Sequence, residues 1–486
     1  AIFLWLSWGE KRARRIAFLA AFFCAALSTM AKGPAGLVLP AAAVLAYLVA
    51  TRRWRLLLDL EISAGTLLMF PVAMPWFVAM YVRHGSEFTD RLFFYDMVKR
   101  AFDHAHDTND GQDVSFRYYL GQLGYGTFPW LGLIPAALFG KRLGEDEAND
   151  DTATHAKGSV VLFAAWFVVT FALFSYMKTK FHHYVLPALP GLAMLAGLAL
   201  HRLLGAGESL RGLSRRDLAL AFLVGPASAL GALLSGGPTW GGVLAYAALT
   251  GAAALLVSRV GAQASGDRAV AFERAASGVL LLAGAALAFF AGRDMAAARA
   301  DQPSGARLLH LFTYNYEREW PEHLDFSGPL WAFTFAAGMV LVLASSSRLR
   351  RGALVGFAGL ATAFAMWALD AYFVQTSPHW GQRELVLRYV RERASQPGPL
   401  VAYQMNWKGE NFYTGNQIAI LLDRGKEAKS WFSAQKKKKK QKVFCVGKTR
   451  GLESTLLGDI GKSADLEKLT SEQDNNKFVL VRAVLP

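Results

Sequence analysis

The chain has 486 residues, of which 53% are hydrophobic and only 18% are charged, and its formal net charge is +15. Soluble globular proteins carry about 25% charged residues, so this composition excludes an ordinary soluble domain and indicates a polytopic α-helical membrane protein. The only two cysteines, Cys24 and Cys445, exclude a disulfide framework and a CxxC metal site.

Apolar stretches near the ~20 residues that cross a bilayer recur along most of the chain. The stretches at 35–50 and 127–141 are short enough to be half-spans. Including these two, the pattern predicts about eleven spans, at residues 16–31, 35–50, 62–80, 127–141, 159–176, 184–203, 218–234, 240–257, 275–292, 329–344 and 353–373.

The short basic connections between these spans fall on one side of the membrane. They are "KRARR" (11–15), "TRRWR" (51–55), "KR" (141–142), residues 201–216, residues 258–274 and "RLRR" (348–351). Because short cytoplasmic loops are enriched in Lys and Arg, we place these six connections in the cytoplasm. The long loop 81–126, "KTKFHHY" (178–184) and the tail of the chain then lie on the extracytoplasmic side.

The tail changes character and predicts a second domain, so we divide the chain into a membrane domain at 1–375 and a soluble α/β domain at 376–486. Residues 384–394 have helical spacing, whereas "GPLVAY" (398–403), "KVFCVG" (442–447) and "KFVLVRAV" (477–484) are typical of buried strands. The tail holds 20 Lys/Arg against 11 Asp/Glu.

The run Lys436–Lys440 within this tail predicts a solvated loop or a patch that attracts anionic lipid head groups. A basic domain outside the cytoplasm is a poor candidate for nucleic-acid binding, so no nucleic-acid partner is predicted.

Polar residues on the extracytoplasmic side are the candidate functional residues. Lys32 lies between two spans, where Gly33 and Pro34 break the helix. The loop 81–126 alternates aromatic and charged residues, as expected of a helix lying along the membrane surface. The loop also supplies four candidate phosphate ligands, for which contacts with lipid head groups are the alternative: Arg83, Arg91, Lys99 and Arg100. His104 and His106 are candidate metal ligands, and for these two a solvated loop is the favoured interpretation.

Four stretches, in this order, resemble a known family: "MAKGPAGLVLP", "PWFVAMYVRHGSEF…FFYDMVKRAF", "FPWLGLIPAAL" and "KTKFHHYVLPALPGLAML". They are similar to the dolichyl-phosphate-mannose-protein mannosyltransferase superfamily, in the bacterial branch that includes the aminoarabinose transferase of lipid A. The resemblance covers roughly residues 1–205 well, and the C-terminal third only in layout.

The resemblance implies a GT-C fold in the bacterial inner membrane, with an extracytoplasmic active site and a periplasmic C-terminal domain. It implies transfer of a sugar from a polyprenyl-phosphate donor to a lipid, glycan or protein acceptor, and it leaves a divalent cation open as a cofactor. Since the phosphate is the leaving group, fixed cations would stabilise its growing charge. The implied substrate-binding residues are Lys32, Arg100, Lys180, His183 and Tyr184, and Pro187 and Pro190 would bend the helix where the lipid enters.

The sequence departs from the family at the catalytic base. In the family this aspartate lies in the first extracytoplasmic loop, whereas the present sequence starts at Ala1 with "AIFLWLSW", which has the character of a helix end. We therefore expect the base to precede residue 1 and leave the catalytic residues unassigned. The spacing of Asp90 and Asp96 does not support either as a substitute.

Two other classes of protein remain as alternatives. A flippase or transporter for lipid-linked sugars would place charged or helix-broken sites at the bilayer midplane in related halves, whereas here the breaks and charges gather on one face. The second alternative is a non-catalytic membrane scaffold that displays the basic C-terminal domain.

The basic connections lead to a prediction about topology. A periplasmic reporter such as alkaline phosphatase, fused after residue 486, should be active, and the same reporter fused after Arg350 should be inactive, because "RLRR" is placed in the cytoplasm. A cytoplasmic reporter at the same two positions should give the opposite result. Activity of the periplasmic reporter at Arg350 and not at the end of the chain would refute the assigned sides.

Overall fold

The computed structural model describes residues 11–99, 102–103, 117–139, 150–205, 267–298, 303–309, 311–312, 320–406, 408–422, 425–437 and 442–485. The chain divides into two compact units. The first comprises Ala1–Ala297, Arg307–Tyr314 and Gly328–Ala361, and the second comprises Ala298–Ala306, Asn315–Ser327 and Thr362–Pro486. The predicted division at residues 375 and 376 stays a prediction.

Apolar α-helices dominate the first unit. In chain order they are α1 (Lys11–Lys32), α2 (Ala35–Thr51), α3 (Ile62–His84), α4 (Arg117–Gly126), α5 (Ile134–Phe139), α6 (Asp150–Tyr176), α7 (Leu189–Gly205), α8 (Asp267–Ala296), α9 (Ser327–Ser345) and α10 (Arg350–Trp367). The last of these continues without a break through a π-helical turn, Ala368–Phe373, and a final segment, Val374–Trp380, which belong to the second unit.

Seven helices within the described residues are long and apolar enough to cross a membrane: Arg12–Lys32, Ile62–His84, Gly158–Tyr176, His182–Leu204, Arg274–Ala296, Ser327–Ser345 and Arg350–Trp380. A shorter apolar helix, Ala35–Thr51, accompanies them. The predicted fold class, a polytopic helical membrane protein with a small C-terminal α/β domain, is confirmed. The predicted spans at 218–234 and 240–257 lie outside the described residues.

The predicted span at 127–141 is not a continuous helix. After α4, the chain turns at Pro129, forms a short 3-10 helix at Trp130–Leu133 and continues as α5. The 3-10 helix packs directly on α8, since a Cβ atom on Gly284 would overlap the carbonyl oxygen of Gly132. The absence of a side chain at both Gly132 and Gly284 allows the two backbones to approach this closely.

The long loop 81–126 is partly helical. Helix α3 extends to His84, and short helical segments follow at Ser86–Thr89 and Asp90–Lys99. Phe94 is 65% exposed and Phe102 is 57% exposed. Large exposed aromatic side chains beside charged residues are consistent with the predicted helix along a membrane surface.

The second unit contains a five-stranded mixed sheet with the order β2-β1-β3-β5-β4. The strands are β1 (Leu400–Tyr403), β2 (Ala419–Leu421), β3 (Lys442–Lys448), β4 (Asp465–Lys468) and β5 (Phe478–Val484). Strand β1 pairs in parallel with β2 and β3, whereas β5 pairs antiparallel with β3 and β4. The three predicted strands correspond to β1, β3 and β5, and the two edge strands were not predicted.

Helices cover both faces of this sheet. They are α11 (Arg383–Ser395), which confirms the predicted helix at 384–394, α12 (Lys408–Tyr413), α13 (Lys426–Lys437) and α14 (Leu452–Ile460). Because side chains alternate along a strand, Val443 and Cys445 face a core that includes residues of α13 and α14, whereas Phe444 and Val446 face a core that includes residues of α11.

Part of the predicted loop at Lys436–Lys440 is helical instead. Lys436 and Lys437 form the last turn of α13, and the side chain of Lys436 donates a hydrogen bond to the Ile460 carbonyl (3.4 Å). A lysine in the last turn of a helix is also favourable because it opposes the negative end of the helix dipole. The other three lysines lie outside the described residues.

The burial of Cys445 predicts an unreactive thiol. Its side chain is fully buried in strand β3, and burial raises the pKa of the thiol, so the reactive thiolate is scarce. In a Cys24→Ala variant, where Cys445 is the single remaining cysteine, a soluble maleimide should label the chain only after denaturant is added. A Cys24→Ala variant that also carries Ser433→Cys, at an exposed position of α13, should label at once. Rapid labelling of Cys445 in the folded chain would contradict the sheet core described above.

Candidate functional site

Lys32 is the last residue of α1 and its side chain is exposed. Gly33 ends the helix with a φ of +73°, and its backbone N–H donates to the Thr29 carbonyl (2.7 Å). Such a left-handed residue commonly closes a helix, and glycine adopts it without strain. Helix α2 follows after Pro34 and packs so closely that a Cβ on Gly36 would lie 2.6 Å from the backbone of Ser28. The tight turn therefore presents Lys32 at its tip.

Lys180 has a different environment, because its side chain is completely buried. The ammonium group donates to three backbone carbonyls at the end of α6, those of Phe174 (3.3 Å), Ser175 (2.6 Å) and Met177 (2.7 Å). The last carbonyls of a helix have no partner within the helix, and a cation there also opposes the negative end of the helix dipole. Lys180 thus caps α6, a role that the sequence did not indicate.

Tyr119 lies on the other side of the Lys180 ammonium group. The nitrogen is 5.3 Å from the centre of the Tyr119 ring, which is fully buried in α4, and this geometry is that of a cation–π contact. Nearby, the Thr179 hydroxyl donates to the Asp103 carbonyl (2.9 Å). These contacts tie the segment after α6 to the long loop 81–126. No feature of the sequence pointed to Tyr119 beyond its place in an aromatic pair, Tyr118–Tyr119.

His183 and Tyr184 lie on a short 3-10 helix, His182–Ala188, which leads into α7. Both side chains are partly buried, and their ring centres are 5.1 Å apart. Phe181 packs beside them, with its ring centre 5.5 Å from that of His183 and 4.9 Å from that of Tyr184. The ring nitrogen of Trp166 donates to the Pro187 carbonyl (2.8 Å).

The two prolines of this segment fit the predicted bend. Pro187 lies within the 3-10 helix and Pro190 in the first turn of α7. Proline lacks the N–H that an α-helix interior requires, and the Trp166 contact supplies a partner for one carbonyl of the irregular turn.

The structure brings two of the candidate elements together. Lys32 lies close enough to His183 for their charges to interact. The exposed ammonium group therefore interacts with the imidazole of His183, which lies on the same short 3-10 helix as Tyr184. Lys180 is buried two residues before that helix. Arg100 lies outside the described residues, as do His104 and His106, so their place relative to this group stays a prediction.

The other candidates in the loop 81–126 make local contacts. The Arg91 guanidinium lies 3.8 Å from the Asp96 carboxylate and 4.3 Å from the centre of the Tyr95 ring, and the Lys99 ammonium lies 5.3 Å from the same ring. Asp90 is exposed. Among the described residues no three His, Cys, Asp or Glu side chains are arranged to hold a metal ion.

One polar cluster in the first unit was not predicted. The Tyr125 hydroxyl donates to one oxygen of the Asp294 carboxylate, and the Arg307 guanidinium contacts the other oxygen (3.1 Å) and the Asp294 carbonyl. Arg307 is buried. The sequence carried one signal for this cluster, which is a single acidic residue at the end of an apolar helix.

Part of the chain is similar in sequence to curated bacterial proteins. No protein-family model matches the chain. The undecaprenyl phosphate-α-4-amino-4-deoxy-L-arabinose arabinosyl transferase of Pseudomonas aeruginosa (strain UCBPP-PA14) is 31% identical over 228 residues, which cover 45% of this chain and 38% of the relative. The protein of the same description from Edwardsiella ictaluri is 32% identical over 183 residues, or 37% of this chain and 30% of the relative.

The resemblance to the aminoarabinose transferase branch is confirmed. An uncharacterised protein of Aquifex aeolicus is also similar, with 30% identity over 196 residues that cover 40% of this chain and 35% of the relative. The similarity thus spans well under half the length of these curated relatives. The crystal structure of ArnT from Cupriavidus metallidurans bound to undecaprenyl phosphate has 19% identity and a TM-score of 0.45, and the match covers 98% of this chain and 70% of that chain.

The capping contacts of Lys180 lead to a prediction about stability. Lys180→Ala should lower the midpoint of thermal unfolding of the detergent-solubilised chain, because a buried carbonyl left without a partner costs about 1–3 kcal/mol. Lys178→Ala, at an exposed position two residues away, is the matched control and should leave the midpoint unchanged. Equal midpoints for the two variants would refute the capping role.

Proposed function

We propose that this chain takes part in transferring a sugar from a polyprenyl-phosphate donor to a lipid, glycan or protein acceptor. The observation that carries the proposal is the similarity to transferases whose name specifies an undecaprenyl-phosphate-linked sugar. The proposed setting is a bacterial inner membrane, with the site and the C-terminal domain on the periplasmic side. The membrane helices and the electrostatic interaction between the exposed Lys32 and His183 are consistent with this chemistry.

The phosphate of such a donor leaves with an additional negative charge, so the site needs a fixed positive charge that the lipid head group can reach. Lys32 meets both requirements, because it is exposed and its backbone is held by the turn at Gly33 and Pro34. An ammonium group that is preorganised near a developing negative charge stabilises the transition state more than the ground state. We assign Lys32 to the donor phosphate.

His183 and Tyr184 complete the proposed site. The imidazole and the phenol can both donate hydrogen bonds to phosphate oxygens, and their positions follow from the 3-10 helix that carries them. Lys180, which is already bonded to three carbonyls, would support these residues as a positioning residue by fixing the end of α6 just before them. Arg100 stays a predicted phosphate ligand.

This proposal predicts a difference between two exposed lysines. Lys32→Ala should reduce the rate of transfer in membranes supplied with an undecaprenyl-phosphate-linked sugar by about 10²–10³, the typical effect of removing one preorganised donor to developing charge. It should also weaken the binding of undecaprenyl phosphate to the purified chain by at least about tenfold. The measurements are product formation by mass spectrometry and a binding titration in detergent.

Lys178→Ala is the control, because Lys178 is exposed and lies on the segment that precedes His183. Equal and small effects of the two substitutions on donor binding would refute the phosphate role of Lys32. Movement of the lipid-linked sugar across sealed vesicles without transfer would instead indicate a flippase and would overturn the proposed activity.

A further inference from the structure

A cleft of about 590 Å³ lies within the second unit. This volume is in the range of small-molecule sites. The side chains that matter for its chemistry are His323, His379, Arg388, Arg391, Glu384 and Asp474.

Two imidazoles form one wall of the cleft. The ring centres of His323 and His379 are 5.3 Å apart, and His379 is buried. The backbone N–H of Asn476 donates to Nδ1 of His379 (3.3 Å). A neutral imidazole whose Nδ1 accepts a hydrogen bond carries its proton on Nε2. The Nε2–H group of His379 can therefore donate a hydrogen bond to a ligand.

Two arginines one helical turn apart on α11 line the cleft. Arg388 forms an ion pair with Glu392 through Nη2 (2.9 Å), while its Nε is buried and has no hydrogen-bond partner among the described residues. Arg391 is exposed. A guanidinium N–H that is shielded from water and unpaired is costly unless an acceptor binds to it, which points to an anionic ligand.

The acidic residues of the cleft are already engaged. Asp474 accepts hydrogen bonds from the backbone N–H (2.8 Å) and the hydroxyl (2.9 Å) of Ser471. The backbone hydrogen bond is the main reason why the pKa of Asp474 lies below its ordinary value. Glu384 is paired with Arg383 (2.6 Å). Since these carboxylates have partners, Arg391, the Nε of Arg388 and the imidazoles are the groups left to bind a ligand.

The cleft adjoins the end of an apolar helix. Gln375, Pro378 and His379 line it from the last turns of the helix Arg350–Trp380. Immediately before them, Phe373 and Val374 are exposed apolar side chains.

Trp320 and Trp380 pack together at this helix end, with ring centres 5.9 Å apart. Tryptophan is enriched at the membrane–water interface. The exposed apolar surface reaches the residue before Gln375, and this arrangement is consistent with a cleft at the level of lipid head groups.

We propose that this cleft binds a phosphate monoester, such as one carried by the head group of a membrane lipid. A monoester offers up to two negative charges and three free oxygens, enough for both guanidinium groups and the His379 donor at once. A phosphodiester offers one charge and two free oxygens, so it should bind more weakly. The site is separate from the proposed transfer activity, and its test measures binding alone.

The experiment uses the full chain in detergent and isothermal titration calorimetry with four probes. Dioctanoyl phosphatidic acid and glucosamine 6-phosphate are monoesters with a lipid and a soluble source, dioctanoyl phosphatidylglycerol is the diester, and inorganic phosphate is the free ion. We expect saturable binding of the monoesters and weaker binding of the diester. Tighter binding of phosphatidic acid than of glucosamine 6-phosphate assigns the lipid source, and the reverse order assigns the soluble one.

Arg388→Gln and Arg391→Gln should each weaken monoester binding by at least about tenfold, because each removes charge-assisted hydrogen bonds. Arg393→Gln is the matched control on the same helix, since its guanidinium lies 5.5 Å from the centre of the Tyr389 ring and does not line the cleft. Should Arg388→Gln fail to fold, Arg391→Gln at an exposed position carries the test. Equal weakening in all three variants, or no saturable binding of any monoester, would overturn the proposal.

Discussion

The carbonyls in the last turn of a helix have no partner within the helix, and lipid offers no water to replace one. In the first unit, basic side chains satisfy this requirement repeatedly. Lys180 bonds the end of α6, Arg202 bonds Ala136 and Ala137 in α5, and Arg350 bonds the last residues of α9 together with a carbonyl of α8. At the ends of α6, α5 and α9 the contact also places a cation at the negative end of the helix dipole. The packing of the apolar helices depends on these bonds, since an unbonded end could not be buried.

This constraint explains which features could be predicted from the sequence. Hydropathy predicts most of the membrane helices because a span must be long and apolar whatever its neighbours are. The central strands were predictable for a similar reason, as Val and Phe fill both faces of a covered sheet. Strand β4, with the sequence "DLEK", has no such pattern, and the apolar stretch at 127–141 is interrupted in a region where Gly132 packs on Gly284, a residue far away in the chain.

The candidate site was predictable only as a set of residue types near one side of the membrane. The order of motifs pointed to the segment that holds Lys180, His183 and Tyr184, and its role as a site stays a prediction. A buried lysine and an exposed one look alike in a sequence. Tyr119, whose ring contacts the ammonium group of Lys180, is about sixty residues away along the chain. The cleft beside His379 was missed for the same reason, because its residues come from four separate segments that only the fold brings together.

The two edge strands of the mixed sheet, β2 and β4, affect whether copies of the chain in one membrane can pair through their sheets. Confinement to the plane of the membrane raises the local concentration of these sheets. Edge strands with unpaired backbone groups are the usual route by which two chains pair. Strand β2 has only three residues, and β4 carries charged side chains and is fastened to the sheet by the hydrogen bond between Arg482 and Glu467. Neither edge strand is long and apolar, so we expect that neighbouring copies do not pair edge to edge through their sheets.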